Sequence, residues 1–338
     1  MKLKINISNR RFTLPVCLLS CLLFIQAIGQ AQDNPVAVQE KTVPASPKPV
    51  KNTFQSVWII DNQTVMVPVK GTLEMDIMHR FGVIEKGYED FWGLFAPSNI
   101  RLGVNYAPIN KLNIGIGVTR TTAAVIAGQE PSSVTGPLWD ASLKYSIITQ
   151  TKGVYPVSVT YYGNAAYNTR KDPGKEIYRN YSDRLSYFNQ LIIARKLTNK
   201  FSVQVAPSIS HHNYVDGFFK KVNDSTLEVN PKMKFDHFAI AFSGRYKVTN
   251  VTSLMINYDQ PLTTHATNNP NPSLSFGVEF NTSSHSFQLF ATNFFYLNPQ
   301  TNNLYNSNSP FKYTDAENKR IDGGKFLIGF NITRLWNY

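Results

Sequence analysis

Beyond residue 70, apolar and polar positions alternate along the chain with a period of two, the period of a β-strand that has one apolar face. In residues 112–119, LNIGIGVT, the leucine, isoleucines and valine fall on one face, and the asparagine, glycines and threonine on the other. The pattern predicts twelve strands, near residues 72–82, 98–107, 111–120, 136–149, 153–167, 184–196, 200–212, 233–248, 252–262, 273–281, 285–296 and 323–336. A tilted strand needs roughly nine to eleven residues to cross a bilayer, so each segment is near or above the required length.

The connections between the predicted strands alternate between long and short. Residues 83–97 and 121–135 form long connections, whereas 108–110 and 197–199 form short ones, and this order holds to the end of the chain. A soluble β-sandwich has no reason to place every long loop at one end. The pattern therefore predicts an all-β fold, a transmembrane antiparallel up-and-down β-barrel of about 12 strands with short periplasmic turns and long extracellular loops. The predicted localisation is the cell outer membrane.

Aromatic residues on the apolar parity lie near both ends of the predicted strands, as the two membrane–water interfaces of a barrel require. The upper set is Phe81, Trp139, Tyr167, Tyr187, Phe295 and Phe326, and the lower set is Tyr106, Tyr155, Phe201, Tyr246, Phe280 and Trp336.

The first 52 residues are predicted to lie outside the barrel. Four cations precede an apolar run from Leu14 to Ile28 that ends in small residues, which predicts a signal peptide over residues 1–31. Residues 32–52 contain four prolines and no aromatic residue, so they are predicted to be a disordered Pro/Lys-rich leader. Both cysteines, Cys17 and Cys21, lie in the apolar run, so cleavage after Ala31 leaves a chain without disulfide or thiolate chemistry.

Residues 53–71 do not follow the strand pattern. Two short apolar runs flank Asp61, Asn62 and Gln63, and each run is too brief to span a membrane. They predict a plug inside the barrel, a periplasmic cap or a small hairpin. The barrel itself is assigned to residues 72–338.

Charged residues on the inward parity are the candidate functional residues. The lumen-lining candidates are Glu74, Asp76, Arg80, Arg101, Asp140, Lys144, Arg245, Asp259, Glu279 and Lys325. Many small residues share their parity, among them Gly103 and Gly115, and these favour an internal cavity. Such a mixed-charge lumen fits either a polar pore or a network of salt bridges that braces the wall.

The positions of the histidine and serine residues give little indication of a catalytic site. His79 and His211 fall near the upper ends of predicted strands and could approach each other across the rim, which is the one arrangement that favours a metal or haem site. Ser210 and His212 share a face, so a hydrolase at the rim is a third, weaker hypothesis. We predict no catalytic residue, no cofactor and no metal, and no enzymatic activity.

Several strings resemble one known family: HRFG at 79–82, NIRLG at 99–103, QLIIARK at 190–196, PSISHHN at 207–213, GVEFNTSSHSFQLFATN at 277–293 and GFNITR at 329–334. They are similar to the uncharacterised outer-membrane β-barrel family of Bacteroidetes-type bacteria known as DUF5777. The resemblance covers roughly residues 53–338. It implies a barrel in the outer membrane and carries over no catalytic or binding residue.

The leading functional hypothesis is a channel or binding barrel for a small polar solute. The alternative is a non-transporting barrel that binds a periplasmic partner through the leader or a surface partner through its basic loops. Outer-membrane lipid, lipopolysaccharide and the barrel assembly machinery are the expected partners. The formal net charge of +12 suits an anionic surface, while no nucleic-acid-binding module is recognisable.

Overall fold

The computed structural model describes residues 47–121, 136–172, 177–223, 226–267, 269–314, 318 and 320–337. The predicted signal peptide and leader residues 32–46 lie outside this part of the chain. Within it, no helix has both the length and the apolar character to cross a membrane.

Twelve strands form one closed antiparallel barrel, which confirms the predicted fold class. Two short strands, β1 (Trp58–Ile59) and β2 (Asn62–Gln63), precede them. The wall strands are β3 (Thr72–Val83), β4 (Asn99–Ile109), β5 (Leu112–Thr121), β6 (Leu138–Ile148), β7 (Ser158–Asn168), β8 (Leu185–Lys196), β9 (Phe201–His212), β12 (Asp236–Lys247), β13 (Thr252–Pro261), β14 (Ser273–Asn281), β15 (His285–Thr292) and β18 (Leu327–Asn337). Each pairs with the next along the chain, and β18 pairs with β3 to close the barrel.

The remaining elements lie in the long connections. They are two single 3-10 turns (Gly87–Asp90 and Tyr181–Arg184), strands β10 (Gly217–Asn223) and β11 (Thr226–Pro231), helix α1 (Pro299–Tyr305), and strands β16 (Tyr313–Thr314) and β17 (Arg320–Ile321). Strands β10 and β11 form a two-stranded sheet of their own, and most of their residues belong to a second compact unit that includes 219–230.

Three strand ends differ from the prediction by four residues or more. Strand β7 begins at Ser158 rather than at 153, because residues 149–157 form a turn in which Thr151 bridges to Tyr155. Strand β18 begins at Leu327 rather than at 323. Strand β15 ends at Thr292, since the Asn293 side chain bonds to Pro272 O, Asn308 O and Leu274 N.

Burial in the wall is inverted relative to a soluble protein. In β4, Leu102 and Val104 are 43 % and 46 % exposed, whereas Arg101 before them and Asn105 after them are only 4 % and 8 % exposed. The same alternation runs through the other wall strands. An outer surface of this kind is stable only against an apolar solvent, and a closed barrel leaves no backbone edge unpaired in it.

Residues 53–66, here called the inner segment, lie inside the barrel. The chain follows the short-turn end before this segment, where Val50 N donates to Gln150 O at 2.7 Å. It then turns at β1 and β2, where Trp58 pairs with Gln63. Phe54, Val57 and Ile60 are at most 2 % exposed. The interior of the barrel is therefore occupied by the chain that precedes its first wall strand.

Residues 293–309, here called the cap loop, fold inward at the long-loop end. The cap loop contains α1, and Phe294, Gln300 and Leu304 are buried. Asn99 Nδ2 donates to Phe295 O at 2.8 Å. Phe295 is thus buried, so its prediction as a member of the upper aromatic girdle is wrong, because the chain has already left the wall at Thr292.

Candidate functional site

The candidate site is the polar interior, and eight of the ten sequence-derived candidates are buried there. These are Glu74, Asp76, Arg80, Arg101, Asp140, Lys144, Arg245 and Glu279. Asp259 lies on the same inner face and borders an internal cavity.

Lys325 lies elsewhere. It precedes β18, its side chain is 35 % exposed, and its Nζ bonds to Glu85 Oε1 at 2.5 Å across the extracellular rim. The prediction that Lys325 lines the lumen is therefore wrong. The strand that would have directed its side chain inward begins only at Leu327.

Two ion pairs lie within the wall itself. Arg101 holds Asp140 with two bonds, from Nε at 3.0 Å and from Nη2 at 2.8 Å. Arg245 Nε donates to Glu279 Oε1 at 2.9 Å. Both pairs are desolvated, and the two parallel bonds of the Arg101–Asp140 pair hold its side chains in fixed positions.

The inward glycines provide room for these side chains rather than for an open cavity. A Cβ placed on Gly117 would lie 2.2 Å from Arg101 Nη2, and one on Gly115 would lie 1.8 Å from Asn105 Oδ1. The expectation that small inward residues leave free space is wrong here, since long neighbouring side chains fill it.

Two carboxylates share amide donors next to the first ion pair. Asn105 Nδ2 donates to Asp76 Oδ2 at 2.8 Å and to Glu74 Oε1 at 3.2 Å, and Asn113 Nδ2 donates to Glu74 Oε2 at 3.2 Å. Asp76 also accepts from Thr333 Oγ1 at 3.0 Å. Neutral donors thus surround this pair of acids.

The inner segment is bonded to the wall by side chains that carry charge. Arg80 Nη2 binds Asp61 Oδ1 at 2.5 Å. Lys144 Nζ donates to Gln63 Oε1 at 2.8 Å and to Val57 O at 3.3 Å. The cations of the lumen wall thus serve two purposes, because some pair within the wall and others anchor the segment inside it.

Amide side chains provide most of the remaining contacts. Four wall amides donate to backbone oxygens of the inner segment. These bonds are Gln204 to Gln63 O at 2.8 Å, Asn257 to Ile59 O at 2.5 Å, Gln288 to Trp58 O at 2.8 Å and Asn331 to Ile60 O at 2.7 Å. Among the described residues, side-chain hydrogen bonds join the segment to ten of the twelve wall strands, all except β4 and β5. The guanidinium of Arg101 on β4 lies 5.9 Å from the centre of the Trp58 ring. Sequence reasoning missed these amides, and their only signal was their inward parity.

Little free space remains around the inner segment. A cavity of about 20 Å³ separates it from the cap loop, and another of about 10 Å³ lies beside Glu74 and Lys144. Each holds roughly one water molecule. Below the segment, a larger cavity of about 560 Å³ is lined by Phe54, Thr72 and Ser146, among others. Among the described residues, the two cavities in the middle of the barrel are therefore too small for a solute larger than water.

The inverted wall and its polar interior agree with a family-level match. The sequence profile of the family described as membrane bound beta barrel domain (DUF5777) matches residues 54–336. The chain belongs to this family. The match includes the inner segment from Phe54 onward, so in DUF5777 the segment and the wall belong to one domain. The predictions of family and of outer-membrane localisation are both confirmed.

Solved structures resemble this DUF5777 chain in overall fold. The KdgM porin aligns with 7 % identity and a TM-score of 0.43, covering 78 % of this chain and 99 % of its own. The COG4313 outer membrane channel from Pseudomonas putida F1 aligns with 13 % identity and a TM-score of 0.45, covering 80 % and 97 %. The NanC porin aligns with 8 % identity and a TM-score of 0.40, covering 79 % and 99 %. No curated protein matches.

The histidines of this DUF5777 barrel do not gather in the arrangement considered for a metal. His79 lies on β3 and His211 on β9, and these strands are six positions apart around the twelve-stranded wall. His79 stacks on Phe330 at 5.1 Å, and His211 Nδ1 bonds to Asp236 Oδ1 at 2.7 Å. In the described ranges, no group of three or more His, Cys, Asp or Glu side chains could hold a metal ion.

Ser210 and His212, which were considered for a hydrolase, both form hydrogen bonds with the cap loop. Ser210 Oγ accepts from Asn303 Nδ2 at 3.1 Å. His212 Nε2 lies 3.2 Å from Gln300 O. These contacts hold α1 of the cap loop against β9.

Proposed function

We propose that this barrel is a gated channel for a small polar solute, with the inner segment as its gate. The observation that carries the proposal is the polarity of the contact between the inner segment and the wall. Side chains of Arg80, Lys144 and Gln204 bond to it where a permanently closed barrel could have placed apolar residues.

A polar contact of this kind favours a segment that can move. Each hydrogen bond between the segment and the wall can be exchanged for one with water, at a net cost of about 0.5–1.5 kcal/mol for a neutral pair and about 1.5–3 kcal/mol where one group is charged. The wall residues thus uncovered include the polar side chains of Arg80, Lys144 and Gln204, which would line a wetted lumen. They also include apolar side chains such as Phe188, Ile192 and Met255, which pack against the segment in the closed state. Twelve strands lie between the eight whose interior side chains fill and the sixteen that leave an open aqueous channel. Displacement of the segment would therefore leave a narrow passage of mixed charge.

A second candidate function, partner binding without transport, has its own support. Residues 49 and 50 pair with the turn at residues 150–151, where Pro49 bridges to Thr151. Lys196 Nζ also donates to Lys51 O at 3.0 Å. The leader is thus attached at the short-turn end, where a periplasmic partner could bind it while the lumen stays closed.

Conductance of the full-length protein in planar lipid bilayers distinguishes these functions. The wild type is expected to be closed for most of the time. Variants Asp61→Asn and Lys144→Met remove charged anchors of the inner segment and are expected to raise the open fraction several-fold. Asp236→Asn, which alters an exposed pair at the rim, is the matched control and should behave as wild type.

The folded state of every variant is checked by its heat-dependent shift in gel mobility. A further variant that lacks residues 53–66 is expected to conduct continuously. If Asp61→Asn and Lys144→Met insert and fold but conduct no more than the wild type, and the deletion variant is also silent, the channel proposal is wrong. Binding through the leader is then the better account.

A further inference from the structure

A small cavity lies between the inner segment and the cap loop, and its lining is rich in oxygen atoms. It measures about 20 Å³ and is bordered by Asp61, Asn62, Ser208, Asp259, Asn302 and Asn303, among others. A volume of this size accommodates one water molecule or one ion that has shed its hydration shell. The inner segment, the wall and the cap loop each contribute to it.

One carboxylate oxygen that borders the cavity is unused. Asp61 Oδ1 binds Arg80 and the Thr292 hydroxyl lies near the carboxylate, but the buried Oδ2 atom has no partner with hydrogen-bond geometry among the described residues. The Asp61 side chain is only 6 % exposed, so bulk water does not compensate for this loss. A buried carboxylate oxygen without a partner is costly, and it indicates a group that is missing from the contacts of the protein itself.

The second carboxylate has no cation beside it. Asp259 Oδ1 accepts from Asn62 Nδ2 at 2.8 Å, and no ion pair involves Asp259 among the residues described. Two further oxygens on this inner face, Asn257 Oδ1 and Ser275 Oγ, are buried and unpartnered, and their strands place them directly opposite each other. Polar groups without a partner thus extend from the cavity along this part of the wall.

The balance of charge in the interior indicates what is missing. Six acidic side chains, Asp61, Glu74, Asp76, Asp140, Asp259 and Glu279, face four basic ones, Arg80, Arg101, Lys144 and Arg245. The three arginines each pair with one acid. Lys144 borders the separate cavity next to Glu74. The described interior therefore holds two more acidic than basic side chains, and Asp259 is the acid whose one hydrogen-bond donor, Asn62, is neutral.

We propose that this cavity binds one small monovalent inorganic cation, coordinated by Asp61 Oδ2 and the Asp259 carboxylate. Asp61 is already neutralised by Arg80, so the local excess is the single charge of Asp259, which a monovalent ion balances. The ion would join the inner segment to β13 beneath the cap loop and hold the segment in place. The site does not depend on conduction, because it belongs to the closed state.

The thermal stability of the full-length protein in different salts tests this site. Unfolding is followed by loss of the fast-migrating folded band, in sodium, potassium or tetramethylammonium chloride at equal ionic strength, so that screening at the surface is the same. The wild type is expected to unfold at a higher temperature, with saturation, in sodium or potassium. Tetramethylammonium is too large for the cavity and should have no such effect.

Two variants locate the effect. Asp259→Asn should abolish the difference between the small cations and tetramethylammonium, whereas Asp236→Asn at the rim should retain it. If Asp259→Asn does not fold, Ser208→Ala provides the second test. This variant should need a higher cation concentration than the wild type for half-maximal stabilisation. A wild type that does not distinguish the salts, or an Asp259→Asn variant that still does, would overturn the proposal. The cavity would then hold a proton or a water molecule instead of a cation.

Discussion

Arg80 Nη2 binds Asp61 Oδ1 at 2.5 Å, and this ion pair joins the first wall strand to the turn of the inner segment. Arg80 Nη1 also donates to Asn331 Oδ1 at 3.0 Å, and its guanidinium lies 4.5 Å from the centre of the Phe290 ring. The Arg80 side chain is fully buried. Loss of either partner would therefore leave a charge in the interior without its counter-ion.

Asp61→Asn is expected to destabilise the folded barrel substantially. Removal of one partner of a buried pair costs about 3–5 kcal/mol, because the other charge stays buried. The double variant Asp61→Asn with Arg80→Gln removes both charges and should recover much of that loss. Urea unfolding of the four proteins forms a double-mutant cycle. Simple additivity of the two losses would contradict a direct coupling between Arg80 and Asp61.

Gly117→Ala is expected to disturb the Arg101–Asp140 pair. The added Cβ would lie 2.2 Å from Arg101 Nη2 and 2.7 Å from Asp140 Oδ2. Because both side chains are buried, the loss should be about 1–3 kcal/mol, the usual cost of overpacking. Gly244→Ala is the matched control, since its Cβ would meet only Ile256 Cγ2, at 3.3 Å. Equal unfolding midpoints for the two variants would mean that Gly117 is not required for the pair.

Much of the wall could be predicted from the sequence because it depends on a local rule. Side chains alternate across a strand, so apolar residues at every second position show both the strand and its lipid-facing side. The segment predicted at 200–212 is the strand Phe201–His212. Closure of the barrel followed from the even number of strands and the alternation of loop lengths.

The contents of the lumen could not be predicted in the same way. Contacts of the inner segment join residues far apart in the chain, as in the bond from Asn331 to Ile60. An asparagine on the inward parity produces the same sequence pattern whether its side chain bonds to water or to a backbone oxygen. Likewise, Gly117 indicates space without indicating that Arg101 fills it. Parity gives the direction of a side chain, whereas its partner depends on the three-dimensional packing.

Acidification is expected to weaken the loop that follows β13. His265 Nδ1 accepts from Lys234 N at 2.9 Å, so its Nε2 carries the proton and donates to His237 Nδ1 at 2.9 Å. Burial, and secondarily the charge of Lys234, lower the pKa of His265 below its ordinary value. A proton at Nδ1 would abolish the bond from Lys234 N.

The unfolded chain therefore binds this proton more readily than the folded one. The contribution of His265 is fully present above about pH 6.5, the ordinary histidine pKa, and is lost as the pH falls from there through the lowered folded pKa. Unfolding midpoints measured between pH 8 and pH 5 should fall more steeply for the wild type than for His265→Gln, which cannot titrate. Parallel curves for the two proteins would show that His265 is not the group responsible.

Cysteine labelling is expected to report the position of the inner segment. Both native cysteines lie within the predicted signal peptide, so single cysteines can be placed in an otherwise thiol-free mature chain. Ser146 borders the cavity of about 560 Å³ below the segment, and Ser146→Cys should react rapidly with a small charged methanethiosulfonate. Ser275 is fully buried, so Ser275→Cys should react at least tenfold more slowly. In the Asp61→Asn background, reaction at position 275 should accelerate while that at position 146 stays unchanged, because release of the inner segment opens the barrel only above it. Equal acceleration at both positions would indicate general unfolding rather than movement of the segment.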